Sequence, residues 1–292
     1  MSNKYAAHAA LLLVNLLYGI NFLVAKEVMP AYIGPSAFIF IRVSCTLVLF
    51  ALLFFTITRE RIERSDIPRF IICALTGVTI NQLLFYEGLN YTTPINAAVI
   101  FTSNPILTLL VSAVILKERL TSKKVVGILI GAVGAVWLIL FSRGGLSFGG
   151  NTQLGNLFII INALSYAIYL VMAKPLMKKY KPLTVITMNF FMGWFFVTPF
   201  GYGQFTQIQW ETFTPFVWGA LAFTVLGVTF IAYLFSIFAL KKLTPSQVSI
   251  YVYVQPVTAA LLAIFLGKDH FTPELVICSI LIFIGVYLVI KE

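Results

Sequence analysis

Residues 94–121 read PINAAVIFTSNPILTLLVSAVILKERLT, and residues 245–272 read PSQVSIYVYVQPVTAALLAIFLGKDHFT. Pro94 falls on Pro245, Asn96 on Gln247, Asn104 and Pro105 on Gln255 and Pro256, Glu118 on Asp269, and Thr121 on Thr272; the register continues to Gly134 and Gly285. Every pair lies 151 positions apart without a gap. Landmarks of such different chemistry at one offset identify an internal duplication. Weaker matches precede it in the same order: Tyr18 with Tyr166 and Lys26 with Lys174 at 148, and Pro35 with Pro182 at 147. The copies occupy residues 1–141 and 154–292, joined by a linker at 142–153 that is rich in Gly and Ser.

The chain has 292 residues, 60% hydrophobic and 10% charged, and its mean hydropathy is +0.97. So apolar a chain has lipid as its solvent. A helix crossing the bilayer needs roughly 20 apolar residues. Ten such segments are expected at 6–25, 36–57, 70–89, 95–116, 125–141, 154–173, 183–202, 214–240, 246–266 and 273–290. The runs are unbroken rather than alternating, which excludes a barrel of strands. The expected fold is therefore an all-α integral membrane protein of ten transmembrane helices. Five spans per copy, an odd number, turn the second copy over, so the two five-helix repeats are inverted. No cleavage site follows the first apolar run, which is expected to belong to the mature protein.

The net charge of +10 is explained by its distribution. With the N-terminus inside, sixteen Lys and Arg fall in cytoplasmic segments, chiefly 59–69, 117–124 and 174–181, against Lys26, Arg143 and Lys268 outside. This asymmetry predicts that both termini are cytoplasmic and leaves nothing for a nucleic-acid partner to explain. The mixed-charge run RERIERSDIPR, residues 59–69, is expected to anchor at the cytoplasmic interface. Cys45, Cys73 and Cys278 all fall within spans at spacings unsuited to a metal, and are expected to be packing residues. Gly127, Gly131 and Gly134 suit close helix packing. Glu118 and Asp269 each precede a new helix, where a loop ion pair or stabilisation of the helix N-terminus is expected.

Polar and aromatic residues fall on particular helix faces when residues advance by ~100°. On span one Asn15, Tyr18 and Phe22 share a face with Lys26, whereas Asn21 points elsewhere and is read as structural. Span three presents Asn81, Gln82, Phe85 and Tyr86. Span four offers Asn96, Ser103 and Asn104, and Pro105 predicts a kink near Ile100 and Phe101. The offsets add Asn162, Tyr166 and Tyr169 on span six, Tyr233 and Ser236 on span eight, and Gln247, Tyr251 and Gln255 on span nine, where Pro256 repeats the break. These residues are expected to line a central substrate cavity, because helices interrupted at matching places of two repeats mark transport sites. Arg42 lies about two turns below the outer surface, where an intramembrane charge costs at least ~2.5 kcal/mol. It is expected either to snorkel outward or to be held by Glu87 or by carbonyls near the outer gate, and Arg42 and Glu87 are candidates for a gate or for coupling.

The runs YGINFLVAK, FIRVSCTLVLF, PINAAVIFTSNPILTLLVSAVILKERLT and GILIGAVGAVWL resemble an EamA-type domain of the drug/metabolite transporter superfamily, and two such domains span nearly the whole chain. The second copy departs from the pattern at Gln255 and at Asp269 and His270. The resemblance implies a ten-helix carrier of the inner or plasma membrane, with a cavity lined by the first, third and fourth helices of each half. Substrates in such a family range from amino acids and nucleosides to sugars and drugs.

The expected function is a secondary transporter that moves a small neutral or zwitterionic metabolite, in the direction of export, by alternating access. A passive channel is the alternative. An enzyme is not expected: His8 and His270 lie near interfaces and Glu87 is the acid well inside a span, too little for acid–base or nucleophilic chemistry. Neither phosphate-binding nor dinucleotide-binding glycine motifs occur, so no cofactor is expected. Proton coupling, exchange and uniport stay open, as do monomer and homodimer.

Overall fold

Proline stands in the first turn of one helix after another, where its missing N–H has no helical partner and its fixed φ suits the helix. In the computed structural model, which describes residues 2–92, 97, 100–141, 152–265 and 273–291, this holds for six elements besides the helices that begin at Val254 and Pro273. They are α2 (Pro35–Leu53), α3 (Ile67–Ala74), α5 (Asn104–Ile115), α8 (Pro182–Phe205), α9 (Pro215–Ala222) and α11 (Pro245–Ser249). The other helices are α1 (Ser2–Val28), α4 (Ile80–Tyr91), α6 (Ser122–Phe141), α7 (Thr152–Lys179), α10 (Ala232–Lys242), α12 (Val254–Phe265) and α13 (Pro273–Ile290). Asn96, Asp269, His270 and most of the linker lie outside the described residues, as do the side chains of Phe22 and Lys26.

Among the described residues the chain is all helical, and six segments are long and apolar enough to cross a membrane: Lys4–Ala25, Pro35–Thr58, Arg64–Tyr91, Thr152–Lys179, Pro182–Phe205 and Pro215–Lys242. Asn104–Ile115 and Val276–Ile290 are shorter apolar helices. Leucine, isoleucine and phenylalanine side chains such as Leu12, Leu16, Leu110, Ile160, Phe195 and Ile280 are exposed on the outer faces of these helices. The molecule is a multi-pass membrane protein.

Lipid supplies little hydrophobic drive for one apolar helix to prefer another, so small residues and polar ties decide the packing. Helix α6 lies along α13, and α2 along α8; α1 packs on α10 and α12, while α7 packs on α4 and α5. Exchanging the first half for the second maps this set of contacts onto itself. The α6–α13 seam is closed by glycines, as the spacing predicts: a Cβ on Gly127 would stand 2.9 Å from the Gly285 carbonyl oxygen. Between halves, Asn104 donates to the Ala163 carbonyl at 2.8 Å and the Trp194 indole donates to Ser44 Oγ at 2.9 Å. Cys73 and Cys278 are buried in packing, whereas Cys45 is exposed.

Irregular backbone recurs at corresponding places. Residues Leu75–Thr79 form a π-helical turn between α3 and α4, and Phe223–Ile231 form another between α9 and α10. Residues 75–79 plus 151 fall at 226–230, inside the second. The segment expected to be the fourth span is interrupted by a turn at Thr102 and Ser103, two residues beyond the expected kink, because the Asn104–Pro105 pair opens a new helix rather than bending an old one. Its counterpart is broken by the 3₁₀ segment Ile250–Tyr253 before Gln255 and Pro256.

The basic run at 59–69 is tied to protein. Glu60 accepts from the Lys181 N–H at 2.9 Å and from the Thr184 hydroxyl at the start of α8, and Asp66 pairs with Lys179 at 2.6 Å. Glu118 forms the ion pair expected of it, 3.2 Å from Lys124.

Candidate substrate cavity

Residues of both halves line a cavity at their junction, with about 770 Å³ of empty space when the open solvent at its mouth is included. Of the expected residues, Asn15, Tyr18, Gln82, Phe85, Tyr86, Asn162, Tyr166, Tyr233, Ser236 and Gln255 line it. A close approach of α1 to α12 sets one wall: a Cβ on Gly19 would lie 2.7 Å from Thr258 Cβ and 3.0 Å from the Gln255 carbonyl oxygen. That contact brings Gln255 Nε2 to donate to Asn15 Oδ1 at 2.8 Å, while Asn15 Nδ2 donates to the Leu11 carbonyl at 2.8 Å. Opposite, Asn162 Nδ2 donates to the Asn81 carbonyl at 2.5 Å, which leaves its Oδ1 without a partner. Gln82 is 3% exposed, and neither of its amide atoms has a hydrogen-bond partner of good geometry, although the Tyr233 side chain adjoins it. Rings complete the wall, with Phe85 edge-on to Phe101 at 6.1 Å and Phe101 beside Tyr166 at 6.5 Å.

The π-helical turns feed this site. A widened turn leaves carbonyls outside the regular ladder and is frequent at functional sites. The Gly77 carbonyl accepts from the Tyr233 hydroxyl at 3.2 Å, and the Thr76 carbonyl accepts from Ser165. On the second turn, Thr229 donates to the Thr224 carbonyl at 2.8 Å and accepts from Arg42 Nε at 3.0 Å.

Arg42 lines the cavity and does not pair with Glu87. Its second bond goes to the Tyr86 hydroxyl, and its guanidinium lies 4.9 Å from the Tyr86 ring centroid and 5.7 Å from that of Phe38. Glu87 accepts from Ser36 Oγ at 2.8 Å. Glu87 meets α2 at Ser36, six residues before Arg42 and about 9 Å away along the helix, so the two charges stand at different levels. Asn21, read as structural, also reaches the cavity and donates to the Tyr86 hydroxyl at 3.1 Å. The reason is that α1 is flanked by α10 on one side and α12 on the other, so the cavity wraps farther around it than a third of a turn.

Five expected residues stand away from the cavity. Gln247 closes a capping box with Thr244 at the start of α11. Tyr251 meets His8 Nδ1 through its hydroxyl at 2.8 Å. Tyr169 is buried with its ring against Gly77. Asn104 is fully buried in its tie to Ala163, and Ser103 stands at the N-cap of α5. Pro105 and Pro256 sit in the first turns after the two breaks.

An all-helical membrane protein with a polar, aromatic cavity between two similar halves falls in the class of membrane transporters. The chain belongs to the EamA-like transporter family, whose model matches residues 6–140 and again 153–291. Members of this family are transporters rather than enzymes. It is similar to the uncharacterized transporter YyaM of Bacillus subtilis, 27% identical over 92% of this chain and 88% of that protein. An uncharacterized transporter of Archaeoglobus fulgidus is 26% identical over 89% and 90% of the two chains. The WAT1-related protein At3g53210 of Arabidopsis thaliana is 26% identical over 94% of this chain and 79% of its own length. A protein of known crystal structure, 19% identical, superposes with a TM-score of 0.77 over 98% of this chain and 96% of the other, a likeness of fold.

Proposed function

We propose that this protein is a secondary carrier of the plasma membrane that moves a small neutral or zwitterionic, partly apolar metabolite by alternating access, in the direction of export. Ten spans in two inverted repeats, with both termini cytoplasmic, form the frame of this reading. The observation that carries it is the cavity itself, which lies between halves whose contacts interchange and whose fourth and ninth helices are broken at corresponding places. The halves would rock about this cavity, exposing it to one side and then the other. Amides and tyrosine hydroxyls supply hydrogen bonds, the rings supply apolar surface, and Arg42 is the charged side chain among the described lining residues. Phosphorylated compounds would call for a cluster of cations that this lining lacks.

Purified protein in vesicles loaded with pooled amino acids, nucleosides and sugars is expected to show saturable counterflow of a labelled member of one pool. Flux that rises linearly with concentration and shows no counterflow would indicate the passive channel instead.

A further inference from the structure

We propose that Arg42 is the anion-recognition residue of the cavity, and that the substrate presents to it a single carboxylate carried on a partly apolar body. The inference rests on the reading of the cavity as the substrate site. Arg42 is 3% exposed yet has no carboxylate partner among the described residues. Of the five N–H donors of a guanidinium, Nε–H is taken by Thr229 and one on Nη1 by Tyr86, both neutral hydroxyls. The remaining donors belong to a side chain that lines the cavity.

Two features make this a built site. The rings of Tyr86 and Phe38 and the Thr229 hydroxyl hold the guanidinium beside the cavity, and its uncommitted Nη donors suit a planar, two-oxygen acceptor. A buried cation without a counter-charge is costly to keep, and a ligand carboxylate relieves that cost at the moment of binding.

The cavity has one such end. The position related to Arg42 by the 147-residue offset is Asn189, a fully buried neutral amide that is absent from the lining. Dicarboxylates and phosphate esters would therefore find no second cation. Elsewhere on the lining, the unpartnered Asn162 Oδ1 and Gln82 Oε1 can accept from an ammonium or another donor. Zwitterionic amino acids, which keep to the net-neutral class proposed above, and simple monocarboxylates, which would widen it to anions, share the chemistry recognised by Arg42 and differ in whether they use these amides.

The test compares matched acids and amides on purified protein: phenylacetate with phenylacetamide, isovalerate with isovaleramide, and phenylalanine with phenylalaninamide. Binding is read by thermal stabilisation in detergent and transport by counterflow in vesicles. At least one acid is expected to bind about tenfold or more tightly than its amide, the scale of a charge-assisted hydrogen bond. Arg42→Gln is expected to abolish the preference, and Tyr86→Phe to weaken it by loosening the guanidinium. If phenylalanine is favoured and phenylacetate is not, the zwitterion uses the amides; if both are favoured, the carboxylate suffices.

Amides bound as tightly as acids, an Arg42→Gln protein that keeps the preference, or no stabilisation by any acid at millimolar concentration overturns the proposal. Should Arg42→Gln fail to fold, the acid and amide comparison on the unaltered protein decides alone. Acids bound without flux would leave the recognition site standing and remove the carrier reading. Neutral compounds carried while acids are ignored would do the reverse.

Discussion

Gly285→Leu is expected to abolish recovery of folded protein, and Gly285→Ala to lower stability by about 1–3 kcal/mol, the range for inserting atoms into a well-packed contact. A Cβ at this position would stand 2.7 Å from the Gly131 nitrogen and 2.8 Å from its Cα, with the Gly127 carbonyl oxygen also in the way. These are backbone atoms of a helix and cannot turn aside as a side chain can. Helices α6 and α13 would have to separate along the seam that joins the ends of the two halves. Gly203 and Gly219 provide controls, because a Cβ at either meets nothing within 4 Å. Alanine at those positions is expected to leave thermal stability within about 0.5 kcal/mol of the original. Thermal melting in detergent reads the whole series, and a Gly285→Leu protein that melts like the original would show that the seam is not closed as described.

Gln82→Leu is expected to reduce transport by about tenfold or more while leaving stability unchanged or raised. A buried amide with neither atom bonded weakens the fold, and replacing it by an apolar side chain of similar size removes that penalty. If the amide serves a ligand, transport loses a hydrogen bond worth about 1 kcal/mol or more, with the rest of the loss from misplacement of the bound molecule. Asn104→Leu supplies the opposite signature. Its amide is committed to the Ala163 carbonyl, so its loss is expected to cost about 0.5–1.5 kcal/mol of stability, the net worth of a buried hydrogen bond. Melting temperature and counterflow measured on the same preparations separate the two. A Gln82→Leu protein that is destabilised and transports normally would remove Gln82 from the substrate site.

The contrast between these two amides shows how far the sequence could be read. Helix faces and the offsets between the two copies placed ten of the lining residues, because the rotation of ~100° per residue is nearly independent of surroundings. What failed depended on partners from other helices. Asn104 shares a depth with the cavity but is drawn off by α7, and Gln247 is used to cap its own helix. A symmetric offset carries position but not chemistry, which is why Tyr169 packs on Gly77 while Tyr18 and Tyr166 face the cavity. The π-helical turns at Leu75–Thr79 and Phe223–Ile231 had no sequence signal that we can identify, and they bring Thr229 to Arg42 and the Gly77 carbonyl to Tyr233. The Arg42 and Glu87 pairing failed for a similar reason: hydroxyls and rings already surround the guanidinium. The glycine seam succeeded since close packing there requires only the absence of side chains.

Alternating access through this cavity is tested most directly at Ser236, which lines it and is 6% exposed. A single cysteine is introduced by Ser236→Cys in protein whose Cys45, Cys73 and Cys278 have been replaced, and a membrane-impermeant thiol reagent is applied separately to each face of oriented vesicles. The cysteine is expected to react from both faces, with the ratio of the two rates shifting when a transported compound is placed on one side. Reaction from one face under every condition, or from both faces at rates that no transported compound alters, would contradict the carrier.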